Sequence, residues 1–156
     1  MSGTKMYAEL PVEVIKQFEA LGNAVDDVVD DMLDAAVDEV MPEIKQKLKE
    51  AVRKGYETGE LAGSMKVKKT NSKKRASDHG RFITFEGNST RQKAANGKIY
   101  PRKKAVRNNE IAAVLECGKS DQEPQPYMRP AFIAKNEAMV RAMEETFDRE
   151  TKKYQG

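Results

Sequence analysis

The sequence predicts an α+β fold in which a long N-terminal helix and a C-terminal helix pack on a small antiparallel sheet with a long basic loop. Apolar residues recur every three or four positions in 11–55 and again in 131–154, which is the period of a helix with one buried face. Short strand-like stretches lie between them, at 64–70 and 81–87. With 156 residues, 38% of them hydrophobic, the chain is the size of one domain with a single core.

The first helix is predicted over residues 11–55, with Pro11 in its first turn and one apolar stripe along its length. Pro42 removes a backbone hydrogen bond and is predicted to bend or break the helix near Met41. Residues 1–10 are predicted to be a flexible N-terminus. A helix this long exceeds what one small domain requires, so part of its stripe is expected to face another chain.

The middle of the chain, residues 64–107, is predicted to be a basic region of strands and loops. A polar turn joins the strands at 64–70 and 81–87. The stretch from Asn88 to Asn108 is long, basic and rich in turn residues, which is typical of an irregular loop. Within it, Ile99 to Val106 is a candidate edge strand.

A short helix is predicted over residues 109–118, with Asn109 as its N-cap and Gly118 at its C-terminal end. A polar loop follows. The C-terminal helix is then predicted over 131–154, so that residues 11–154 form one domain.

The segment from Pro126 to Phe132 reads Pro-Tyr-Met-Arg-Pro-Ala-Phe and is predicted to form an elbow that positions the closing helix. Each proline fixes its own φ and favours an extended residue before it, so Gln125 and Arg129 are expected to be extended. Pro130 suits the first turn of the helix. The elbow's bulky side chains are expected to make packing contacts: Tyr127, Met128 and Phe132.

Three short motifs occur in order along the chain: Thr58-Gly59-Glu60-Leu61-Ala62-Gly63-Ser64, Glu116-Cys117-Gly118 and the elbow. Over about residues 11–150 the chain resembles a family of small tail components of tailed bacteriophages, the neck or tail-completion proteins that join head to tail. Cys117 stands where an aromatic residue is usual in this family, and Lys119 where Thr or Ser is usual. The residues that match the family's structural motifs are Thr58, Gly59, Leu61, Ser64, Glu116, Gly118, Pro126, Tyr127, Arg129, Pro130 and Phe132.

The resemblance implies a virion protein, made in the host cytoplasm, that forms a homo-oligomeric and sixfold ring between the head connector and the tail tube. Its implied partners are further copies of itself, the neighbouring connector and tail proteins, and the genome DNA that passes through the bore. In this interpretation Gly59, Leu61 and Ser64 set the entry into a strand, and the elbow positions the closing helix.

Charge is strongly segregated along the chain. Residues 66–107 carry 14 Lys or Arg and two acids, whereas the rest carries 14 bases and 23 acids. This separation indicates contact with a polyanion or with the acidic surface of a neighbouring copy, and the sequence leaves both open. The candidate contact residues are Lys66, Lys68, Lys69, Lys73, Lys74, Arg75, Arg102, Lys103, Lys104 and Arg107.

DNA contact through these residues is expected to be nonspecific, because lysine and arginine neutralise phosphates whatever the base sequence. Base stacking would require interleaved aromatic residues, for which Tyr100 is the candidate. An alternative function from another class is therefore a small nonspecific nucleic-acid-binding module.

An acidic column on the first helix is formed by residues that recur every four positions: Asp26, Asp30, Asp34 and Asp38. Stacked carboxylates repel one another, and a hard cation requires ligands that converge on one point. The column is therefore predicted to face solvent or a partner rather than to bind a metal.

The remaining reactive residues do not form a catalytic set. Gly118-Lys119-Ser120 resembles the end of a phosphate-binding loop, but Ala113 stands where that loop requires a glycine. His79 is predicted to be a turn residue that titrates as a surface imidazole, and Cys117 to be a small buried hydrophobe. The sequence thus predicts no enzyme, no metal and no cofactor, and no apolar run approaches the roughly 18 residues of a membrane span.

Overall fold

The computed structural model describes residues 11–12, 15, 22–52, 59–70, 79–94 and 96–153. The described residues form an α+β fold, as predicted. A 3-10 turn at Gly22–Ala24 precedes the first helix. The elements then follow in the order α1 (Val25–Val52), α2 (Glu60–Gly63), β1 (Met65–Lys69), β2 (Arg81–Phe85), β3 (Asn88–Lys93), β4 (Ile99–Arg107), α3 (Asn108–Cys117) and α4 (Met128–Lys152).

The core lies where α1 packs against α4 and the ends of the strands. Residues of α1 at helical spacing are buried: Val28, Val29, Met32, Leu33, Ala36, Val40, Ile44 and Leu48. The buried hydrophobic residues of α4 are Met128, Ala131, Met139, Met143 and Phe147. Each large aliphatic or aromatic side chain removed from water contributes about 1.5–3 kcal/mol. The apolar stripes of both helices therefore provide most of the driving force for folding.

Pro42 lies inside α1 without ending it, so of the predicted bend or break near Met41 the break is wrong, and the bend stays a prediction. Pro42 is exposed, while Val40 and Ile44 on either side of it are fully buried. A proline inside a helix costs about 3 kcal/mol, and the burial of its two neighbours offsets that cost. The predicted flexible N-terminus, residues 1–10, lies outside the described residues.

The strands form two antiparallel pairs. In the first pair, β1 and β2 run from Met65 opposite Phe85 to Lys69 opposite Arg81. In the second pair, β3 and β4 form a hairpin whose register shifts between Ser89 and Arg91. The stretch from Asn88 to Asn108, predicted as an irregular loop, is therefore mostly strand, and the candidate edge strand from Ile99 to Val106 is confirmed as β4. Its polar side chains stay largely exposed, so the sequence lacks the apolar alternation that reveals a half-buried strand.

Two asparagines at the start of α3 hold β2 next to the hairpin. The Asn108 side-chain amide donates to the Glu86 carbonyl at 2.8 Å. The Asn109 side-chain oxygen accepts a hydrogen bond from the Phe85 N–H at 2.9 Å. The predicted role of Asn109 as N-cap is wrong, because its side chain binds β2 and the helix begins one residue earlier.

Candidate assembly site

A carboxylate from α3 caps the helix that follows the elbow. Glu116 Oε2 accepts the N–H groups of Tyr127 at 2.8 Å and Met128 at 2.9 Å, and its Oε1 accepts that of Arg129 at 3.1 Å. The next residue, Pro130, has no N–H, so every donor of the first turn is accounted for. The negative charge also lies at the positive end of the helix dipole. Glu116 therefore fixes where α4 begins.

The cap corrects two sequence predictions, the start of the closing helix and the conformation of Arg129. The closing helix spans Met128–Lys152, whereas the prediction was 131–154. Arg129 lies in the first helical turn, so its predicted extended conformation is wrong. Hydrogen bonds to a charged group are worth about 1.5–3 kcal/mol each, and the bonds to Glu116 outweigh the preference that Pro130 imposes on the residue before it.

Tyr127 anchors the elbow in the core. Its side chain is buried, with 2% of the residue exposed, and its ring meets the ring of Phe85 edge-on with centroids 6.2 Å apart. The hydroxyl donates to the Ala112 carbonyl at 3.4 Å. Burial, and then the nearby Glu116 carboxylate, raise the pKa of Tyr127, so the hydroxyl stays protonated. Tyr127 thereby joins the elbow to both β2 and α3.

Gly118 ends α3 in a conformation that other residues rarely adopt. Its φ is +72°, and a Cβ atom there would lie 2.8 Å from the Gln122 carbonyl oxygen. Cys117, the residue before it, is exposed, so its prediction as a buried hydrophobe is wrong. The buried face of α3 carries Ala112 and Leu115, and Cys117 lies off that face.

Replacing Glu116 by alanine is expected to lower the free energy of unfolding by about 2 kcal/mol, because three helix N–H groups lose their acceptor and the dipole loses its counter-charge. Urea unfolding followed by circular dichroism measures this change. Glu144→Ala is the matched control, since Glu144 is an exposed carboxylate on α4, the helix that Glu116 caps. Equal midpoints for the two variants would contradict the capping role.

The strand-entry motif forms a tight turn before β1. Gly59 has a φ of +78°, and the Ser64 hydroxyl donates to the Leu61 carbonyl at 2.8 Å. The Ser64 carbonyl then accepts from the Glu86 N–H at 2.9 Å, which places β1 next to the end of β2. Thr58 lies outside the described residues.

Glu60, which the sequence interpretation did not single out, fastens the hairpin to this turn. Its carboxylate accepts the Ser89 hydroxyl at 2.9 Å and Nε of Arg91 at 3.0 Å. Burial raises the pKa of Glu60, but the hydrogen bonds from Arg91 and Ser89 outweigh it, so its pKa lies below the ordinary value. The base of the hairpin is thereby tied to α2.

A set of ion pairs, named here the ionic clamp, joins the first strand pair to α1. Its members are Asp26, Asp30 and Asp34 on α1 with Lys69, His79 and Arg81. The Arg81 side chain is only 4% exposed. Its guanidinium donates from Nε to Asp34 at 2.6 Å and from Nη1 to Asp30 at 3.0 Å. The ring nitrogens of His79 lie 3.0 Å from Asp26 and 3.4 Å from Asp30.

The clamp adds contacts that the predictions did not include. Asp26 and Asp34 are exposed, in line with the predicted solvent-facing column, but they and the half-buried Asp30 also pair with bases of the same chain. His79 was predicted to be a surface turn residue, and its ring lies between the carboxylates of Asp26 and Asp30. Some of the acidic and basic residues that are separated along the sequence thus pair with each other within one chain.

The clamp predicts a loss of stability in acid. Burial raises the pKa of Asp30, but hydrogen bonds from Arg81 and His79 outweigh it and leave the pKa below its ordinary value. A carboxylate whose pKa is lower in the folded state stabilises the fold at pH values above its unfolded-state pKa. This stabilisation is lost as the pH falls below about 4. Asp30→Asn is expected to flatten the pH dependence of the unfolding midpoint in this range, with the exposed Asp31→Asn as control.

A variant Asp30→Asn with an unchanged acid transition would contradict this assignment. The measurement is urea unfolding between about pH 3 and 6 at constant ionic strength, because salt also weakens exposed ion pairs.

The candidate basic residues lie in different surroundings. Lys68 and Arg107 line one open polar depression of about 500 Å³ together with Glu86. Arg102 donates to the Ser89 hydroxyl at 3.1 Å and is half-buried. Lys69 belongs to the ionic clamp. Lys66, Lys103 and Lys104 are exposed, and Lys73, Lys74 and Arg75 lie outside the described residues.

A model of the protein family described as "Bacteriophage HK97-gp10, putative tail-component" matches residues 13–111, more than half of the chain. The chain belongs to this family. The matched part of the tail component includes α1, the strand-entry turn, the ionic clamp and the hairpin, and it ends within α3 before Glu116 and the elbow. No curated protein and no solved structure matches the chain.

Family membership supports a structural role in the phage tail and a place in the virion. Within the described ranges, the tail component contains no group of three or more His, Cys, Asp or Glu residues that could hold a metal ion. None of the helices seen in the described part of the chain is long and apolar enough to cross a membrane.

Proposed function

We propose that this tail component is a structural protein of the neck, where copies form a sixfold ring between the head connector and the tail tube and help join the DNA-filled head to the tail. The sixfold number comes from the family resemblance. The role requires no catalytic residue and no cofactor. Its partners are further copies, the connector and tail proteins above and below, and the DNA in the bore.

The observation that carries the proposal is the β3–β4 hairpin. It is a two-stranded sheet of its own, and most of its side chains are exposed. An isolated hairpin of this kind is marginally stable in water, and Glu60 fastens its base to α2. A hairpin with this much exposed surface suits a contact with a neighbouring subunit, where its polar backbone edges and basic side chains find partners.

The exposed charges fit the same role. Lys103 and Lys104 are exposed on the hairpin, while Asp31 and Asp38 are exposed on α1 outside the ionic clamp. Contacts between such different surfaces on identical copies are heterologous, and they close into a ring when the rotation between copies permits.

Deletion of the gene from a phage that carries it tests the proposal. Full heads and separate, complete tails in electron micrographs are expected, and expression of the wild-type chain in trans is expected to restore joined particles. Normally joined particles without the chain would contradict a role at the neck.

A second candidate function, a nonspecific nucleic-acid-binding module, is favoured by the depression that holds Lys68 and Arg107 and by the exposed lysines of the hairpin. A gel-shift titration at several salt concentrations separates the two. Tight binding by a monomer with a steep salt dependence supports the module, because released counterions dominate such binding. Weak or absent binding by a protein that forms rings or docks with tail proteins supports the neck.

A further inference from the structure

An apolar groove lies on the surface between α1, β2 and α4. Its volume is about 390 Å³, which is within the range of protein sites that bind a ligand or a few side chains. Ile133 on its wall is 70% exposed. A large aliphatic side chain this exposed, beside other apolar side chains, marks a surface suited to binding another apolar group. The apolar lining includes Leu33, Val37, Phe82, Phe132, Ile133 and Met139.

The chemistry of the groove suits a tyrosine. The half-buried rings of Phe82 and Phe132 lie in its lining together with the thioether of Met139. Aromatic rings pair favourably edge to face, and methionine sulfur also makes favourable contacts with aromatic rings. Asn136 lines the groove as well and is exposed, so its amide offers a hydrogen-bond partner for a phenol hydroxyl.

The β3–β4 hairpin presents such a side chain. Within the described ranges, Tyr100 is the one aromatic residue that is exposed, at 43%, and its neighbour Ile99 is 50% exposed. We name residues 96–100, next to the turn of the hairpin, the hairpin tip. Glu60 holds the other end of β3 at Ser89, and the six residues of β3 span about 20 Å. The hairpin tip is therefore remote from the anchored end.

The charges around the two surfaces are complementary. Residues 25–44 of α1, which form one wall of the groove, include eight Asp or Glu and no Lys or Arg, whereas residues 88–107 include seven Lys or Arg and no acid. Asp38, next to the lining residue Val37, is exposed. Opposite charges around an apolar contact orient it and disfavour contact between two like surfaces. The exposed lysines of the hairpin are Lys98, Lys103 and Lys104.

The hairpin of one copy does not fill its own groove, because no described residue of β3 or β4 lines it. We propose that the groove of each copy binds the hairpin tip of a neighbouring copy, with Tyr100 as the anchor. This inference rests on the proposed function and names the surface that receives the hairpin. The groove and the hairpin tip are different surfaces, so the contact is heterologous and propagates from copy to copy.

Cysteine cross-linking tests the contact. In a Cys117→Ser background, which removes the native cysteine of the sequence, one protein carries Tyr100→Cys and a second, tagged protein carries Ile133→Cys. Oxidation of the mixture is expected to give a disulfide-linked product of both chains, which the tag distinguishes by mass from either homodimer. Glu144→Cys replaces Ile133→Cys as control, because Glu144 is exposed on α4 roughly 16 Å further along the helix. A disulfide requires Cα atoms within about 7 Å, so about tenfold less mixed product is expected with the control.

Sedimentation equilibrium provides an independent readout. Tyr100→Ala is expected to weaken self-association about tenfold or more, as is usual when a buried tyrosine anchor is removed from an interface. Gln92→Ala is the matched control, since Gln92 is exposed and lies opposite Tyr100 in the hairpin register, and its expected effect is small. Circular dichroism verifies that both variants are folded, and the exposure of Tyr100 makes its replacement tolerable to the fold.

Stacking on DNA bases is the alternative role for Tyr100. A gel-shift titration with single-stranded DNA compares the wild-type protein with Tyr100→Ala. Under the proposal, the variant loses self-association while its DNA binding stays within about twofold of the wild-type value. Weaker DNA binding with unchanged self-association overturns the groove contact and assigns Tyr100 to DNA.

The outcomes separate the inference from the proposed function. Absence of the mixed product under conditions where sedimentation shows assembled protein overturns the inference and leaves the ring in place. Linkage within one chain of the Tyr100→Cys/Ile133→Cys double variant at high dilution also overturns it, since the hairpin tip then occupies its own groove. Mixed product from a chain whose deletion leaves particles normally joined supports the groove contact and contradicts the neck. A protein that stays monomeric at every concentration contradicts the groove contact and the ring together.

Discussion

Replacing Tyr127 by alanine is expected to lower the free energy of unfolding by about 3–5 kcal/mol, the usual cost of truncating a buried aromatic side chain. Tyr127 is among the largest fully buried side chains of the described chain, and its ring packs edge-on against Phe85. Domains of this size are stable by only about 5–15 kcal/mol. The variant is therefore expected to be partly unfolded at 37 °C. Its assembly is expected to be impaired before any binding activity is affected.

Urea unfolding at 25 °C, followed by circular dichroism, measures this change. Tyr127→Phe is the matched control, because it keeps the ring and removes only the long hydrogen bond to the Ala112 carbonyl. A loss of less than about 1 kcal/mol is expected for that control. Joined phage particles in normal yield from Tyr127→Ala would count against the elbow as an assembly element.

Replacing Arg81 by methionine is expected to lower the free energy of unfolding by about 2–4 kcal/mol. Methionine keeps much of the buried aliphatic length but leaves Asp30 and Asp34 without the guanidinium that donates to both. Breaking a buried ion pair costs about 3–5 kcal/mol. The expected value is smaller because Asp30 and Asp34 are 31% and 54% exposed, so water screens them after the substitution.

Arg81→Lys is the informative companion variant. Lysine keeps the charge but lacks the planar fork that reaches both carboxylates, so an intermediate loss is expected. A double-mutant cycle with Asp34→Asn isolates the pairwise energy. If Arg81→Met has the same urea midpoint of unfolding as the wild-type protein, the ionic clamp does not hold the strand pair to α1.

The two main helices were predictable because their signal is local. The apolar stripes of residues 11–55 and 131–154 repeat at the helical period. α1 buries most of the first stripe within Val25–Val52, and α4 buries Ala131, Met139, Met143 and Phe147. The strand pair was also predictable, since Phe82, Ile83 and Phe85 stand between turn residues. The hairpin was predictable only in part. Its strand β4 lies where Ile99 to Val106 was the candidate edge strand, but β3 carries polar side chains on both faces and owes its position to Glu60, 29 residues before Ser89.

The ionic clamp and the elbow cap escaped prediction for the same reason. The clamp joins Asp34 to Arg81, 47 residues apart, and no spacing rule relates them. Glu116 was recognised as a motif residue, but its role depends on the geometry that brings α3 to the first turn of α4. In the sequence, both the ionic clamp and the elbow cap are signalled only by charged residues. Such residues indicate that partners exist but do not identify them.

The clamp also bears on the proposed contact between copies. Because Asp26, Asp30 and Asp34 already pair with bases of their own chain, we expect the proposed ring contact to depend mainly on charges outside the clamp. The exposed basic hairpin offers such charges.

Cryo-electron microscopy of the head–tail junction in intact virions would show the proposed ring itself. We expect a closed ring of copies of this chain between the head connector and the tail tube, with the β3–β4 hairpins in contact with neighbouring subunits. Density for the chain at another site in the tail, or its absence from the virion, would contradict it.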